Sequence, residues 1–175
     1  MNPKEAYEYA LKNGPDENTR KAACKDSFYA YLYALNIDQV PRKDTRKAAC
    51  KDLDYAYEYA RNIDRSPHED TRKAACKNPF NAYYYALNVD RGPREDTRKA
   101  TFKDRYFVYL YALEIDKGPQ EDTRQVACKD PEFAYLYAKD VDKGFHEDTY
   151  NAVRGTRYEK EYREFLKNLM KEEVI

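Results

Sequence analysis

Apolar residues recur along this chain in short stripes with the spacing of an α-helix. One example is Ala30, Tyr33, Ala34 and Ile37, which fall at i, i+3, i+4 and i+7 and therefore share one helical face. No segment alternates between apolar and polar positions for long enough to predict a strand. The pattern therefore predicts an all-α fold built from short helices.

The stripes belong to a repeat with a period of 26 residues. Each repeat contains two strings that recur with small changes. The first, Asp-Thr-Arg-Lys-Ala, predicts a helix rich in small residues, which we call helix A. The second, Ala-Tyr-x-Tyr-Ala, predicts a bulkier helix, which we call helix B. Neither helix can bury its stripe alone, so we expect the copies to stack as a right-handed α-solenoid. The threonines that mark the period are Thr19, Thr45, Thr71, Thr97, Thr123 and Thr149.

The period divides the chain into segments of one predicted domain, residues 1–175. After a half repeat and five full repeats, Gly155 ends a last helix A, and a longer capping helix follows. Its stripe contains Tyr158, Tyr162 and Leu166; the alternative is a helix that dimerises or binds a partner. The predicted segments are residues 2–14, 15–40, 41–66, 67–92, 93–118, 119–144, 145–154 and 157–173.

Turn and cap residues predict where each helix begins and ends. Prolines such as Pro41 and Pro67 are placed at the first position of helix A, and Ser66 with Glu69 resembles a capping box. A second such box is Thr156 with Glu159. An Asp or Asn should cap helix B. Glycines should end it at Gly92, Gly118 and Gly144.

The string Tyr33-Ala34…Ile37-Asp38 and its later copies resemble a known kind of repeat. They are similar to the short tandem α-helical repeats of uncharacterised phage, viral and metagenomic proteins. The resemblance covers about residues 2–153. It implies an α-solenoid and a viral origin, and it carries no activity with it.

Composition narrows the function classes. Lys+Arg and Asp+Glu are both 32, so the formal net charge is zero, which argues against a dedicated nucleic-acid binder. The longest apolar run, residues 106–113, is too short to span a bilayer, and the first residues lack an apolar signal core. We expect a cytoplasmic protein that does not bind membranes, located in the host cytoplasm if it is viral.

Residues that usually carry chemistry are spread out by the repeat. Four cysteines share one repeat position, and stacked equivalent helices lie about 8–10 Å apart, too far for a disulfide or a common zinc ion. His68 and His146 also share one position, three repeats apart. We therefore expect no catalysis, no metal and no cofactor. The cysteines are Cys24, Cys50, Cys76 and Cys128.

Basic residues form two ladders that are candidates for partner binding if helix A lines a concave face. The alternative is that each arginine pairs with an aspartate such as Asp38 or Asp64 between adjacent repeats. Of two tyrosine ladders, the one beginning at Tyr33 lies on the core stripe, and the one beginning at Tyr31 either packs between neighbouring B helices or forms an aromatic platform. The candidate basic residues are Arg46, Arg72, Arg98, Lys51, Lys77 and Lys103.

Departures from the repeat predict a more specific site. The fourth repeat replaces the cysteine with Phe102 and adds Arg105 and Tyr106, close to Tyr109 on helix B. Arginine and tyrosine are frequent at interface hot spots. The alternative is simple repacking around Phe102.

These observations predict a non-enzymatic protein-binding scaffold, and a viral origin would make it a protein that engages or inhibits a host protein. The first alternative is nucleic-acid binding along the arginine, lysine and tyrosine ladders. An enzyme and self-assembly through the solenoid ends are two further alternatives. The sequence leaves the partner and the oligomeric state open.

Overall fold

The computed structural model describes residues 1–172, and these form short helices joined by turns, with no strand among them. The prediction of an all-α fold of stacked two-helix repeats is confirmed. The chain forms two compact units, Met1–Ala100 and Thr101–Ile175. The predicted end of the last helix at residue 173 lies outside the described residues.

The A helices are single α-helices of seven residues each. Threonine lies on their buried face, together with one or two alanines in most copies, as the stripe of small residues predicts. They are α2 (Glu17–Ala23), α4 (Lys43–Ala49), α6 (Glu69–Ala75), α8 (Glu95–Thr101), α10 (Glu121–Ala127) and α12 (Glu147–Val153).

The B helices are longer, and after the first one each changes type before it ends. The α-helical parts are α1 (Pro3–Asn13), α3 (Ser27–Tyr33), α5 (Leu53–Tyr59), α7 (Pro79–Tyr85), α9 (Arg105–Leu110) and α11 (Pro131–Leu136). The later five continue as π-helical ends, namely Ala34–Asp38, Ala60–Asp64, Ala86–Asp90, Tyr111–Asp116 and Tyr137–Asp142. The amino-acid pattern did not predict these wider turns.

Glycines follow the ends of three B helices, at Gly92, Gly118 and Gly144, but they are not the left-handed residues there. The left-handed residue is the one directly after each π-helical end, and its φ lies between 52° and 56°. In the third repeat that residue is Arg91, and the N–H of Gly92 closes the end by donating to the Ala86 carbonyl at 3.2 Å. The left-handed residues are Gln39, Arg65, Arg91, Lys117 and Lys143.

The proline prediction for helix A is wrong by two residues. In the third repeat, α6 begins at Glu69 and its N-cap is His68, whose Nδ1 accepts a hydrogen bond from the Asp70 N–H at 3.2 Å. Pro67 therefore precedes the cap. The Ser66 capping box does not form, because the Ser66 hydroxyl donates to the Asp64 carbonyl instead.

The caps of helix B are as predicted. Asp26, for example, accepts from the N–H groups of Phe28 and Tyr29, and Pro79 and Pro131 occupy first helical turns. A carboxylate or carboxamide oxygen satisfies backbone donors that the first helical turn leaves open.

Within each unit, the core consists of similar small clusters. In the first unit, Ala34 of one B helix meets Ala49 of the following A helix and Tyr59 and Ile63 of the next B helix. Three helices therefore share each cluster, and no repeat has a core of its own, as expected for a solenoid.

The last helix is α13 (Tyr158–Glu172), and it replaces a helix B rather than only covering an end. Its Tyr162 is fully buried with Ala134, Ala138 and Val153. The second predicted capping box forms in a shifted way. The Thr156 hydroxyl accepts from the Tyr158 N–H, whereas the Glu159 carboxylate accepts from Gly155.

Candidate functional site

One tyrosine ladder is entirely internal. In each pair that the structure describes within a unit, a fully buried tyrosine of helix B lies 2.8–2.9 Å, hydroxyl to hydroxyl, from the threonine of helix A. We call these pairs the internal ladder. They are Thr19–Tyr33, Thr45–Tyr59, Thr71–Tyr85, Thr123–Tyr137 and Thr149–Tyr162.

The tyrosine hydroxyl also closes the start of helix A. In the third repeat, the His68 N–H donates to the Tyr85 hydroxyl at 3.1 Å, and this hydroxyl lies 3.2 Å from the His68 carbonyl. Burial raises the pKa of Tyr85, so the hydroxyl keeps its proton. The internal ladder therefore joins helix A to helix B by polar contacts inside an apolar layer, and packing is the observed role of this ladder.

The arginine ladder lies directly over these tyrosines. The guanidinium carbon of Arg46 is 5.7 Å from the ring centroid of Tyr59, and Arg46 Nη2 donates to Asp64 Oδ1 at 2.5 Å. Arg72 repeats this arrangement with Tyr85 and Asp90. The Arg46 and Arg72 side chains are only 13% and 16% exposed, so the geometry favours ion pairing over a free basic stripe.

The main ion pairs lie within a repeat, whereas the alternative stated above placed them between repeats. Arg46 and Asp64 both belong to residues 41–66, although Arg20 contacts both Asp38 at 3.3 Å and Asp44 of the next repeat at 3.0 Å. Arg98 is half-buried at the equivalent position on α8. The partner-binding role of Arg46, Arg72 and Arg98 stays a prediction. The burial and ion pairing of Arg46 and Arg72 do not favour it.

One oxygen of some of these buried aspartates is left without a hydrogen bond. Asp38 Oδ2 and Asp90 Oδ2 have no partner in the described structure. Burial raises the pKa of Asp90, although Arg72 and Arg94 act in the opposite direction. In both aspartates, the arginines contact Oδ1 only.

The second tyrosine ladder joins neighbouring B helices. The Tyr31 hydroxyl accepts from Asn62 Nδ2 at 2.9 Å, the Tyr57 hydroxyl accepts from Asn88 Nδ2 at 2.9 Å, and the Tyr109 hydroxyl donates to Asp140 Oδ2 at 2.7 Å. These hydroxyls bridge consecutive repeats. The arrangement favours packing over an aromatic platform.

The cysteines are separate, half-buried thiols. Burial raises the pKa of Cys24, Cys50 and Cys128 to about 11 and that of Cys76 to about 12. A thiol with such a pKa is a poor nucleophile at neutral pH. Among the described residues, no group of three or more His, Cys, Asp or Glu side chains is placed to hold a metal ion.

The lysine ladder differs from the arginine ladder because its side chains reach solvent. Lys51, Lys77 and Lys103 are exposed, just beyond the ends of α4, α6 and α8. They remain candidates for contact with an anionic partner.

The predicted residues of the fourth repeat are partly brought together. Arg105 is exposed at the start of α9, and Tyr106 beside it is 50% exposed. The Tyr106 ring meets Phe107 edge-on at 5.4 Å and lies 6.5 Å from Phe133 of α11. Phe102 and Tyr109 are half-buried, and the Tyr109 ring lies 6.4 Å from Phe133.

Sequence reasoning missed a set of exposed arginines at the ends of the B helices. Arg61 replaces a residue that is leucine in three of the other full repeats, at Leu35, Leu87 and Leu113. Arg65 and Arg91 follow at left-handed positions. The signal that could have shown them is a departure from the repeat, since Arg61 stands where most full repeats have leucine.

Comparison with protein-family models, with curated proteins and with solved structures finds no match to this chain. The described helices include none that is both long and apolar enough to cross a membrane. A function for this chain must therefore be inferred from its own residues.

Proposed function

We propose that this chain is a non-enzymatic protein-binding scaffold, and that its partner contacts the surface formed by Arg105 and Tyr106. A viral origin, suggested by the resemblance of its repeats, would make the partner a host protein. The proposal rests on how the repeats differ from one another, and where.

The observation that carries the proposal is the contrast between constant and variable positions. Positions of the internal ladder keep their residue type from repeat to repeat and are buried. The second position of helix B is mostly exposed and changes freely, through Phe28, Asp54, Phe80, Tyr106 and Glu132. A scaffold with a fixed framework and a variable surface is typical of repeat proteins that bind partners.

The Arg105–Tyr106 surface has the properties of an interface anchor. The Tyr106 ring is half exposed yet held by Phe107 and Phe133, so binding would cost it little conformational entropy. Among the described residues, Arg105 makes no ion pair, so its guanidinium is free for a carboxylate of the partner. Arginine and tyrosine together are the residue types that most often dominate binding energy.

Free thiols support a reducing location. All four cysteines are unpaired, and none lies in a disulfide within the described structure. Free thiols persist in the cytosol, where the redox poise keeps them reduced. We therefore propose that the scaffold acts in the cytoplasm.

The proposal is tested by exchanging the anchor for residues that the repeat already uses. Arg105→Ser with Tyr106→Glu copies Ser27 and Glu132 from equivalent positions, so the helix should still form. Affinity capture from the host lysate identifies the partner, and calorimetry with the purified partner then measures its affinity. Loss of hot-spot contacts should weaken binding by about thirtyfold or more.

The matched control is Phe28→Asp, which makes the same kind of exchange at the equivalent position of the first repeat. It should leave the affinity unchanged. Equal affinity for the Arg105/Tyr106 variant and the control would clear this surface of the proposed role.

A further inference from the structure

A surface pocket lies between two consecutive π-helical ends of the first unit. Its walls come from Ala60–Asp64 and Ala86–Asp90, and its volume is about 340 Å³. Arg61, Arg65 and Arg91 line it together with Asn62 and Asn88. We call this site the arginine pocket.

The three guanidiniums of the pocket differ from those of the arginine ladder. Arg46 and Arg72 are paired with buried aspartates, whereas Arg61, Arg65 and Arg91 are exposed. Within the described residues none of these three forms an ion pair, and their guanidiniums make one hydrogen bond, from Arg65 Nε to the Asn62 carbonyl at 3.5 Å. Three cations therefore line one small pocket and form no ion pair among the described residues, although the Glu58 carboxylate lies beside the pocket in a hydrogen bond with Asn62.

The asparagines of the pocket are fixed by the second tyrosine ladder. Asn62 Nδ2 donates to the hydroxyl of Tyr31 and to Glu58, and Asn88 Nδ2 donates to the hydroxyl of Tyr57. Both amide N–H groups of Asn62 and one of those of Asn88 are thus engaged by the protein. The charged donors available to a ligand are those of the three arginines.

The same pocket occurs one repeat earlier with a single arginine in its lining. It has a volume of about 290 Å³ and is lined by Leu35 and Gln39 at the positions of Arg61 and Arg65. Asn62 and Arg65 occupy the positions of Asn88 and Arg91. The fold therefore builds the pocket, and two substitutions raise its arginines from one to three.

Helix stability does not explain this concentration of charge. Cations near a helix C-terminus are favourable, but the equivalent helix end carries Leu35 and Gln39 in the first repeat and forms the same π-helical structure. Placing three like charges together is unfavourable unless an anion joins them. The charge therefore points to a ligand.

We propose that the arginine pocket binds a phosphate group carried as a monoester. The planar guanidinium presents paired N–H donors that match the oxygens of a phosphate in two-point contact. A phosphate monoester carries close to two negative charges at neutral pH, which several arginines together can balance. The monoester can belong to a phosphorylated side chain of a protein or to a small phosphorylated metabolite.

Calorimetry and NMR titration test the proposal with three probes: inorganic phosphate, phenyl phosphate and a short phosphoserine peptide. The test variant is Arg61→Leu with Arg65→Gln, which copies the first-repeat pocket. The wild-type chain should bind the probes saturably, and the arginine Nε–H signals should shift. The variant should bind at least about tenfold more weakly, since two charge-assisted contacts are lost.

The control variant is Lys43→Glu, which changes the net charge by the same two units and copies the glutamate at the equivalent position of repeats one, three, four and five. It should bind like the wild type. A phosphoserine peptide that binds more tightly than the other two probes indicates a protein ligand, whereas phenyl phosphate binding at least as tightly as the peptide indicates a small molecule. Absence of saturable binding, or equal weakening in both variants, would overturn the proposal.

Discussion

The internal ladder and the exposed ends of the B helices follow opposite rules. The internal ladder repeats the same threonine and fully buried tyrosine, and the arginine–aspartate pairs over it recur with little change. The exposed ends change from Leu35 to Arg61 and from Gln39 to Arg65 while the backbone keeps the same π-helical form. The difference teaches that the residues that hold the fold and the exposed residues that vary, where we propose binding, are separate in each repeat.

The largest effect should come from removing a ring of the internal ladder. Tyr85→Ala takes away a fully buried side chain that packs with Tyr57, Ala60, Ala75 and Val89. We expect the free energy of unfolding to fall by about 3–5 kcal/mol, because a cavity replaces the ring. Urea unfolding followed by circular dichroism measures the loss, and a loss below about 1 kcal/mol would contradict the described packing.

The cysteine ladder should be chemically quiet while the chain is folded. The pKa of Cys76, raised from 9.0 to about 12, leaves roughly a thousandfold less thiolate near pH 8 than in the unfolded chain. Iodoacetamide should therefore modify the folded chain at least about tenfold more slowly than the chain in urea, since the other three thiols have a pKa of about 11 and a thiolate of higher pKa is the better nucleophile. The rate should rise with pH up to the raised pKa, since only the thiolate reacts. Equal rates with and without urea at pH 8 would show that the thiols are not desolvated.

A smaller effect should follow when the ladder loses a single hydroxyl. Tyr85→Phe keeps the ring but leaves the His68 N–H and the Thr71 hydroxyl without this partner. We expect a loss of about 1–3 kcal/mol in the free energy of unfolding. A double-mutant cycle with Thr71→Val measures the coupling between the two hydroxyls, and additive losses would contradict the described bond.

The smallest effect on stability is expected at the exposed ends. Arg61→Leu with Arg65→Gln should change the free energy of unfolding by no more than about 0.5 kcal/mol, because both side chains are exposed and unpaired among the described residues. The same urea series measures it. A loss of several kcal/mol would mean that these arginines belong to the framework.

The buried positions of the internal ladder could be predicted from the sequence because every repeat carries the same residue types at them. Thr45, Tyr59 and their equivalents were placed on buried stripes by spacing alone, and the alternation of small A helices with bulky B helices followed from composition. Helix B caps such as Asp26 were also predictable, since a side-chain oxygen before an apolar stripe has few other uses.

Other features depend on how the helices begin and end in three dimensions, which the spacing of residues does not encode. The left-handed residue that follows each π-helical end is a non-glycine such as Arg91, one residue before Gly92, and residue type alone does not predict it. His68 caps α6 although histidine is an unusual N-cap, which hid the true start of the helix. Tyr162 lies 13 residues after Thr149 instead of 14, so a strict period missed its place in the ladder.

The separation between the buried residues that stabilise the fold and the exposed residues proposed for binding is tested most directly by one unfolding comparison. A chain carrying Arg61→Leu, Arg65→Gln, Arg105→Ser and Tyr106→Glu together is measured in urea beside Tyr85→Phe. The account predicts that the four exposed changes cost less than the single buried hydroxyl, about 1 kcal/mol or less in total. If the four exposed changes destabilise the chain more than Tyr85→Phe does, fold and recognition are not carried by separate residues.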